Sequence, residues 1–273
     1  MLGIMQGRLS PPLTEKIQEF PATTWKNEFS KASSIGIKAI EWTVDLEDFK
    51  LNPLFDLSKK QELAELQEEF SISIPSVTLD CFVEAPLHKA NALTGLKSDI
   101  RDLVWIAERI HETDVEILVL PIVAEGADFN YPALESLIST LNGSLGIFRD
   151  LGKKIAIECE FDLTSMEVML NSLDSDIFGV NFDMGNSAAI GHKPIDELEI
   201  CKGRIFNVHI KDRILGGHTV PLGKGSVNFI KVAQILKEHE YSGNLILQAA
   251  RNNNRDEVEQ IVTYLDFCRN LGW

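Results

Sequence analysis

The sequence predicts an α/β fold, a single (β/α)8 TIM barrel that spans residues 1–273. Three observations predict it. Short apolar runs alternate with longer segments of helical periodicity along the whole chain. Most of these runs are apolar on both faces, as strands of a parallel sheet covered by helices must be. The chain also has the length of such a barrel, and no Pro/Gly/Ser-rich linker or block of like charges divides it.

Eight apolar runs predict the eight strands. They are residues 2–5, 39–42, 74–79, 116–120, 154–158, 179–182, 205–210 and 244–247. The first run continues as GIMQGRLSPP, which lacks the G-x-G-x-x-G turn of a dinucleotide-binding sheet. A closed barrel is therefore favoured over an open, doubly wound sheet.

Apolar residues at helical spacing predict the helices between these strands. In segment 226–243 they recur at i, i+3, i+4 and i+7 from Phe229, and Ser226 is the predicted N-cap. Thr164 and Glu167 predict a capping box after the fifth strand. A last helix is predicted within residues 252–272.

Composition excludes several classes of protein. The chain has 26 Lys+Arg against 41 Asp+Glu, a formal charge of −15, which repels a phosphate backbone and makes nucleic acid an unexpected partner. No apolar run approaches the roughly 20 residues of a membrane helix, and the start lacks the features of a signal peptide. Four scattered cysteines form no C-x-x-C pair. We therefore expect a cytoplasmic protein with reduced thiols and no membrane association.

Polar residues gather where the predicted strands end. Glu158, Asp183, His209 and Gln248 lie at or just after the ends of four successive strands. In a barrel these ends meet at one face, and carboxylate, imidazole and amide groups are ligands for a divalent cation. A histidine that stood alone would be interpreted as a core or rim residue, but four coincident strand ends favour a metal. The sequence predicts one ion, which would be Mn2+, Mg2+, Co2+ or Zn2+.

The chain resembles the xylose isomerase-like barrel proteins, a family of sugar and sugar phosphate isomerases and epimerases that also includes, more distantly, endonuclease IV. The resemblance covers nearly the whole chain and rests on segments in the family's order: GIMQGRLSPP, AIEW, VLPIV, IAIECE, NFDMGN, VHIKD, PLGKGSVNF and LILQAAR. It implies a TIM barrel whose single metal is held by Glu158, Asp183, His209 and Gln248. It also implies a homo-oligomer of two or four chains.

Two positions depart from the family pattern. Gln248 stands where the family has glutamate, and Asn186 stands where it often has histidine. The resemblance implies a mechanism in which, in the family's epimerases, two glutamates exchange protons with opposite faces of an enediolate. A glutamine can ligate a metal through its carbonyl oxygen but cannot act as a base. The sequence therefore lacks the second base of a two-base epimerisation.

The resemblance and the strand ends together predict a metal-dependent isomerase or epimerase that acts on a sugar or sugar phosphate through an enediolate. The predicted catalytic residues are Glu158 and Lys211, with Glu160 or Asp80 as alternative proton-transfer groups if Glu158 is only a ligand. The predicted substrate-binding residues are Gln6, Arg8, Glu41, Asp80, Glu160, Asn186 and Arg251.

Basic residues in the last two predicted loops suggest an anion pocket. Lys211, Arg213, Lys224 and Arg251 lie there, and PLGKGS offers backbone N–H groups before a helix. This pattern indicates a site for a phosphorylated or carboxylated sugar. The alternative is that Lys211 pairs with Asp212 or with a ligand carboxylate, while Lys224 is solvated.

Three other functions compete with the isomerase hypothesis. A dehydratase or lyase that acts on an inositol-like ketone uses the same enolate chemistry. A degenerate barrel that binds a sugar without turnover fits the missing glutamate. Phosphodiester hydrolysis of the endonuclease IV kind is disfavoured by the acidic composition, Asn186 and Gln248.

Overall fold

The computed structural model describes residues 1–14, 18–47, 49–87, 99–122, 131–251 and 256–273. The strands of these residues are β1 (Leu2–Met5), β2 (Ile40–Thr43), β3 (Ser76–Thr78), β4 (Ile117–Ile122), β5 (Lys154–Cys159), β6 (Phe178–Asp183), β7 (Ile205–Ile210), β8 (Asp212–Arg213), β9 (Thr219–Val220) and β10 (Asn244–Leu247). The α-helices are α1 (Trp25–Ser34), α2 (Leu57–Phe70), α3 (Cys81–Glu84), α4 (Ile100–Arg109), α5 (Tyr131–Gly143), α6 (Leu145–Asp150), α7 (Leu163–Ser172), α8 (Met184–Ile190), α9 (Pro194–Ile200), α10 (Phe229–Glu238) and α11 (Glu257–Asn270), and a short 3-10 helix covers Phe49–Leu51.

Eight parallel strands close into a barrel in the order β1-β10-β7-β6-β5-β4-β3-β2. Strand β10 is the eighth strand of the barrel, while β8 and β9 form a separate two-stranded antiparallel sheet. Helices lie between consecutive barrel strands in the sequence, so the predicted (β/α)8 barrel is confirmed. Among the helices described here, none combines the length and apolarity needed to cross a bilayer.

The predicted strands agree closely with the observed ones, with one clear exception. The third strand was predicted over residues 74–79 but contains only Ser76–Thr78. Pro75 precedes it and has no N–H group, so it cannot donate to a neighbouring strand and the regular ladder begins after it. The carbonyl of Pro75 still accepts hydrogen bonds from the backbone of Glu116 and Ile117.

Both predicted helix caps were wrong. Asn228 caps α10 by accepting a hydrogen bond from the Lys231 backbone N–H, while the Ser226 hydroxyl bonds to a different segment. Asp162 caps α7, and Thr164 lies inside the first turn. Because a cap is defined by where the first helical turn begins, a shift of two residues replaces one capping side chain with another.

A β-bulge in β7 sets the orientation of the residues that follow. Val180 of β6 pairs with Ile205, but the next residue, Asn181, pairs with Asn207, so Phe206 is an extra residue. Opposite the bulge is Gly179, where an added Cβ atom would lie 2.7 Å from the Phe206 ring. The missing side chain of Gly179 therefore leaves the space that the ring occupies.

Strand β2 shows how alternation separates the barrel interior from the outer core. Trp42 packs outward against α1, with its ring 5.8 Å from that of Trp25 and 6.1 Å from that of Phe29. Its neighbour Glu41 therefore points into the barrel, where it has no exposed surface. Thus one apolar run carries a core tryptophan on one face and a buried carboxylate on the other.

We expect the substitution Gly179→Ala to destabilise the protein by about 1–3 kcal/mol, because the new methyl group overlaps the Phe206 ring and the Arg204 carbonyl. Urea unfolding followed by circular dichroism measures this change. Gly146→Ala is the matched control: it lies in α6 with nothing within 4 Å of the added Cβ atom, so stability should stay level or rise. Equal midpoints for both variants would contradict the packing argument.

Candidate active site

Three of the predicted metal ligands lie together at the carboxyl ends of neighbouring strands. Glu158 of β5, Asp183 of β6 and His209 of β7 each offer one ligand atom, and these atoms all lie within 4.8 Å of one another. Nδ1 of His209 is 3.2 Å from Oε2 of Glu158 and 4.0 Å from Oδ2 of Asp183. The sheet register explains this, because Asp183 pairs directly with His209.

His209 is held from below by Glu41. Nε2 of the imidazole donates to Oε1 of Glu41 at 2.6 Å, and neither residue has exposed surface. The other oxygen of Glu41 accepts from the Ser76 hydroxyl at 2.6 Å and from the Asn207 amide at 2.7 Å. Glu41 was predicted to bind substrate, but this placement makes it a support for His209. It directs Nδ1 of the ring toward Glu158 and Asp183.

The charges of the cluster shift two pKa values in opposite directions. Burial by itself lowers the pKa of His209, but the carboxylates of Glu41 and Glu158 outweigh it and raise the pKa to about 10. Burial by itself raises the pKa of Glu158, but His209, Lys211 and the Asn181 amide together hold it below its ordinary value. Glu158 is therefore an ionised carboxylate at neutral pH.

Two asparagines inside the barrel were missed from the sequence. The Asn181 amide donates to Oε2 of Glu158 at 2.6 Å and lies 3.0 Å from Nδ1 of His209. The side-chain amide of Asn207 donates to Oδ1 of the Asn181 side chain at 2.9 Å and to Glu41. A signal existed: each asparagine lies two residues before Asp183 or His209, so the alternation of a strand places it on the same face.

Lys211 and Asn186 cover the outer side of the cluster. The ammonium of Lys211 is 2.9 Å from Oδ2 of Asp183 and 2.9 Å from the side-chain oxygen Oδ1 of Asn186. The Asn186 amide donates to Oε1 of Glu158 at 2.9 Å. The sequence left open whether Lys211 binds an anionic substrate, Asp212 or a metal-ligand carboxylate. In the structure it pairs with the carboxylate of Asp183. Asn186 connects Lys211 to Glu158.

The predicted phosphate cradle in PLGKGS is wrong. The side chain of Asp212 accepts hydrogen bonds from the backbone N–H groups of Gly223, Gly225 and Val227 at 2.9, 2.8 and 3.2 Å. Asp212 is fully buried, so these donors already bind an anion that belongs to the protein. Lys224 is exposed to solvent. Since the sequence pattern shows only which donors exist, it could not reveal that a carboxylate eleven to fifteen residues earlier occupies them.

The remaining basic candidates separate into two places. Arg213 bonds to Glu160 and Asn186, both at 2.9 Å, beside Lys211. Arg251 donates to the Ser10 carbonyl at 2.8 Å on the β1 side of the mouth. There, burial and the neighbouring charge of Arg251 lower the pKa of Arg8 to about 9. Glu160 is 38% exposed, so it belongs to the rim of the barrel.

Four of the predicted site residues carry buried polar atoms that have no hydrogen-bond partner within the described part of the chain. These atoms are Nε2 of Gln6, Oδ2 of Asp80, Oε1 of Gln248 and Nε of Arg251. Buried polar groups are normally paired, and leaving one unpaired costs about 1–3 kcal/mol. Their concentration at the carboxyl ends of β1, β3 and β10 indicates a place that a ligand or ion completes.

The cluster fits a divalent cation. Two carboxylates and an imidazole are suitable ligands, and Gln248 offers a fourth oxygen that is buried without a partner. Ile246 of β10 pairs with His209, and Gln248 is the first residue after β10, where its backbone N–H still donates to Ile210 of β7. The alternation of a strand therefore places Gln248 on the same side of the sheet as His209, one step higher. The imidazole must lose its Nδ1 proton to ligate. Glu158, Asp183 and His209 could thus hold the ion, and Gln248 remains a proposed ligand.

Comparison with known proteins shows that the chain as a whole is similar to sugar epimerases. The sequence profile of the xylose isomerase-like TIM barrel family matches residues 29–271. The L-ribulose-5-phosphate 3-epimerases UlaE of Shigella boydii and Escherichia coli are 26% identical to this chain, over 90% of its length and 89% of theirs.

Solved structures share the fold at low identity. The IolI protein with a bound zinc atom has a TM-score of 0.77 at 16% identity, covering 99% of this chain and 97% of that one. D-psicose 3-epimerase, solved in the presence of D-fructose, has a TM-score of 0.75 at 12% identity, covering 99% and 98%. A Mycobacterium smegmatis family protein in complex with magnesium has a TM-score of 0.67 at 14% identity, covering 98% and 95%.

We expect Glu41→Gln to weaken metal binding by about 10–100-fold, because the neutral side chain loses the negative charge that favours a proton on Nε2, and its amide nitrogen cannot accept the hydrogen bonds that Ser76 and Asn207 donate. Calorimetric titration of Mn2+ into the metal-free protein measures the Kd. Glu69→Gln, an exposed position on α2, should leave the Kd unchanged. If a folded Glu41→Gln variant had the Kd of the unmodified protein, Glu41 would not determine how the His209 imidazole binds the metal.

Proposed function

Because this chain belongs to the xylose isomerase-like TIM barrel family, we propose that it is an isomerase or epimerase that acts on a sugar or sugar phosphate through an enediolate. The observation that carries this proposal is the group formed by Glu158, Asp183 and His209 at the carboxyl face of the barrel, where enzymes of this fold have their active sites. The names of the curated relatives support a ketose phosphate as the substrate class and the 3-position as the reacting carbon.

The proposed cofactor is one divalent cation held by Glu158, Asp183 and His209, with Gln248 as the fourth ligand. When bound, such an ion acts as a Lewis acid that polarises the substrate carbonyl and stabilises negative charge on its oxygen. Mn2+, Mg2+, Co2+ and Zn2+ all accept ligands of these types. The protein itself supplies the binding, the orientation and the proton transfer.

Glu158 is the proposed proton acceptor. Its side chain is 16% exposed, the most accessible of the three clustered groups, and its low pKa leaves it ionised. The positive charge of Lys211 contributes to that ionisation, which gives Lys211 an electrostatic role in the proposed chemistry. Hydrogen bonds from Asn181 and Asn186 fix the carboxylate, so one oxygen can be presented to a C–H bond in a constant orientation.

The other residues predicted at the site divide by position. Gln6, Arg8 and Arg251 lie on the β1 and β10 side of the mouth, and we propose them as contacts for the sugar hydroxyls or for an anionic end group. Asn186 lies against Glu158 and Lys211, so it is the proposed contact nearest to the reacting carbon. Glu160 bonds to Arg213 at the exposed rim, so we propose it as a substrate contact with less support than the other residues.

We expect the metal-loaded protein to exchange a carbon-bound hydrogen next to the carbonyl with solvent. Proton NMR in D2O follows this exchange and the appearance of the epimer, with L-ribulose 5-phosphate, D-tagatose and D-psicose as the test substrates. Removal of the metal should abolish both signals. Glu158→Gln should lower the exchange rate by about 10²–10⁴-fold, because the group that accepts the proton is lost.

The matched control for that variant is Glu259→Gln, a change in the first turn of α11 on the outside of the barrel, which should keep full exchange. If metal-loaded protein exchanged no hydrogen in any of the three ketoses, enolisation of these sugars would be ruled out as its function.

A further inference from the structure

Epimerisation next to a carbonyl needs proton transfer on two faces of one carbon. The proton leaves from one face and a new proton arrives on the other. A carboxylate held rigidly on one strand, as Glu158 is, reaches one of these faces. At position 248 the chain has glutamine, which cannot transfer a proton. If the proposed function is correct, a second acid or base must therefore come from elsewhere in the barrel.

Asp80 follows the carboxyl end of β3, and Glu158 lies on β5, two strands away. Thr78, the last residue of β3, pairs with Val119 of β4, and Asp80 comes two residues later with helical backbone as the N-cap of α3. Pro121 lies two residues beyond Val119 on β4. Pro121 pairs in turn with Glu158 of β5. Neighbouring strands are about 4.8 Å apart, so β3 and β5 are separated by about 10 Å. The carboxyl group of Asp80 bonds to the Thr78 side chain at the end of β3 and is close enough for the charge of Glu158 to act on it. Two carboxyl groups so placed can enclose one substrate carbon between them.

The hydrogen bonds of Asp80 leave one oxygen for a ligand. Oδ1 accepts from the Thr78 hydroxyl at 3.1 Å, which fixes the carboxyl group. Oδ2 is buried and has no partner within the described residues. By contrast, both oxygens of Glu41, Glu158 and Asp183 accept hydrogen bonds from protein groups. Asp80 therefore differs from the carboxylates that build the cluster.

The surroundings of Asp80 favour its protonated form. Burial and the negative charge of Glu158 raise the pKa of Asp80 to about 7, Asp45 adds to this effect, and His209 opposes it. Arg8 is a further charged neighbour. A protonated carboxyl group at this position can donate its proton to a substrate carbon.

We propose that Asp80 is the second proton-transfer residue of the site and serves the face of the substrate opposite to Glu158. In one direction the C3–H bond breaks, its proton passes to Glu158, and its electron pair forms C2=C3 while the C2 oxygen becomes an enediolate oxygen. The Asp80 proton is then transferred to the other face of C3, and the C2=O bond forms again. Asp80 ends as a carboxylate and Glu158 as an acid; Glu158 then releases its proton to solvent, and Asp80 takes up a proton from solvent.

Glu160 is the other carboxylate that the sequence offered for this role. It is bound to Arg213 at the exposed rim, where water competes for its proton. Asp80 is half-buried with its Oδ2 atom out of contact with solvent, and it is close enough to Glu158 and His209 for their charges to act on it, so the structure favours Asp80.

The test is hydrogen exchange in D2O by metal-loaded Asp80→Asn, started separately from L-ribulose 5-phosphate and from its 3-epimer, L-xylulose 5-phosphate. Asparagine keeps the shape of the side chain but cannot transfer a proton. We expect epimerisation to fall at least 100-fold in both directions. Exchange at C3 should persist in the one epimer whose hydrogen faces Glu158 and should be lost in the other. A residue that only supports the fold would not produce this asymmetry.

The matched control is Asp266→Asn, an exposed position on α11, which should exchange both epimers as the unmodified protein does. Epimerisation by Asp80→Asn at a rate near that of the unmodified protein would overturn the proposal, as would equal loss of exchange from both epimers. If the unmodified protein exchanges neither epimer, the proposed epimerase function itself is wrong, and the role of Asp80 is rejected with it.

Discussion

The hydrogen bond between Glu41 and His209 is the interaction on which the site depends. Both residues are completely buried in the barrel interior, where an unpaired carboxylate would cost several kcal/mol. Ser76, Asn207 and His209 donate three hydrogen bonds to the Glu41 carboxylate, so its charge is stabilised and the imidazole has one orientation. Nδ1 of that ring consequently lies beside Glu158 and Asp183.

The barrel makes this arrangement possible by bringing strands distant in sequence into one layer. Glu41 and His209 are 168 residues apart in the chain and yet are within hydrogen-bond distance. The bulge at Phe206 is essential to this layer, because it brings Asn207 into line with Asn181 and His209 into line with Asp183. The bulge at the amino end of β7 therefore determines which side chains form the site at the carboxyl end of the same strand.

The network also explains how so acidic a site remains stable. Glu41, Glu158 and Asp183 lie around one imidazole, and Lys211 supplies the positive charge on the outer side. Asparagine amides donate into the remaining lone pairs, and they add no charge of their own. Asp212 is balanced in a different way, by backbone N–H groups of the loop after β9, so that loop is fixed by the protein's own carboxylate.

The sequence by itself determined the order of strands and helices and the closed barrel, because burial on both faces and helical periodicity are local patterns. It also determined that Glu158, Asp183 and His209 meet, since the carboxyl ends of barrel strands share one face. The tertiary structure decided which polar groups are already bonded. Only the packed barrel shows that Glu41 supports His209, that Asp212 fills the loop expected to bind phosphate, and that one oxygen of Asp80 has no partner in the described chain. These facts depend on contacts between residues far apart in the chain, and no pattern within a single strand or loop encodes them.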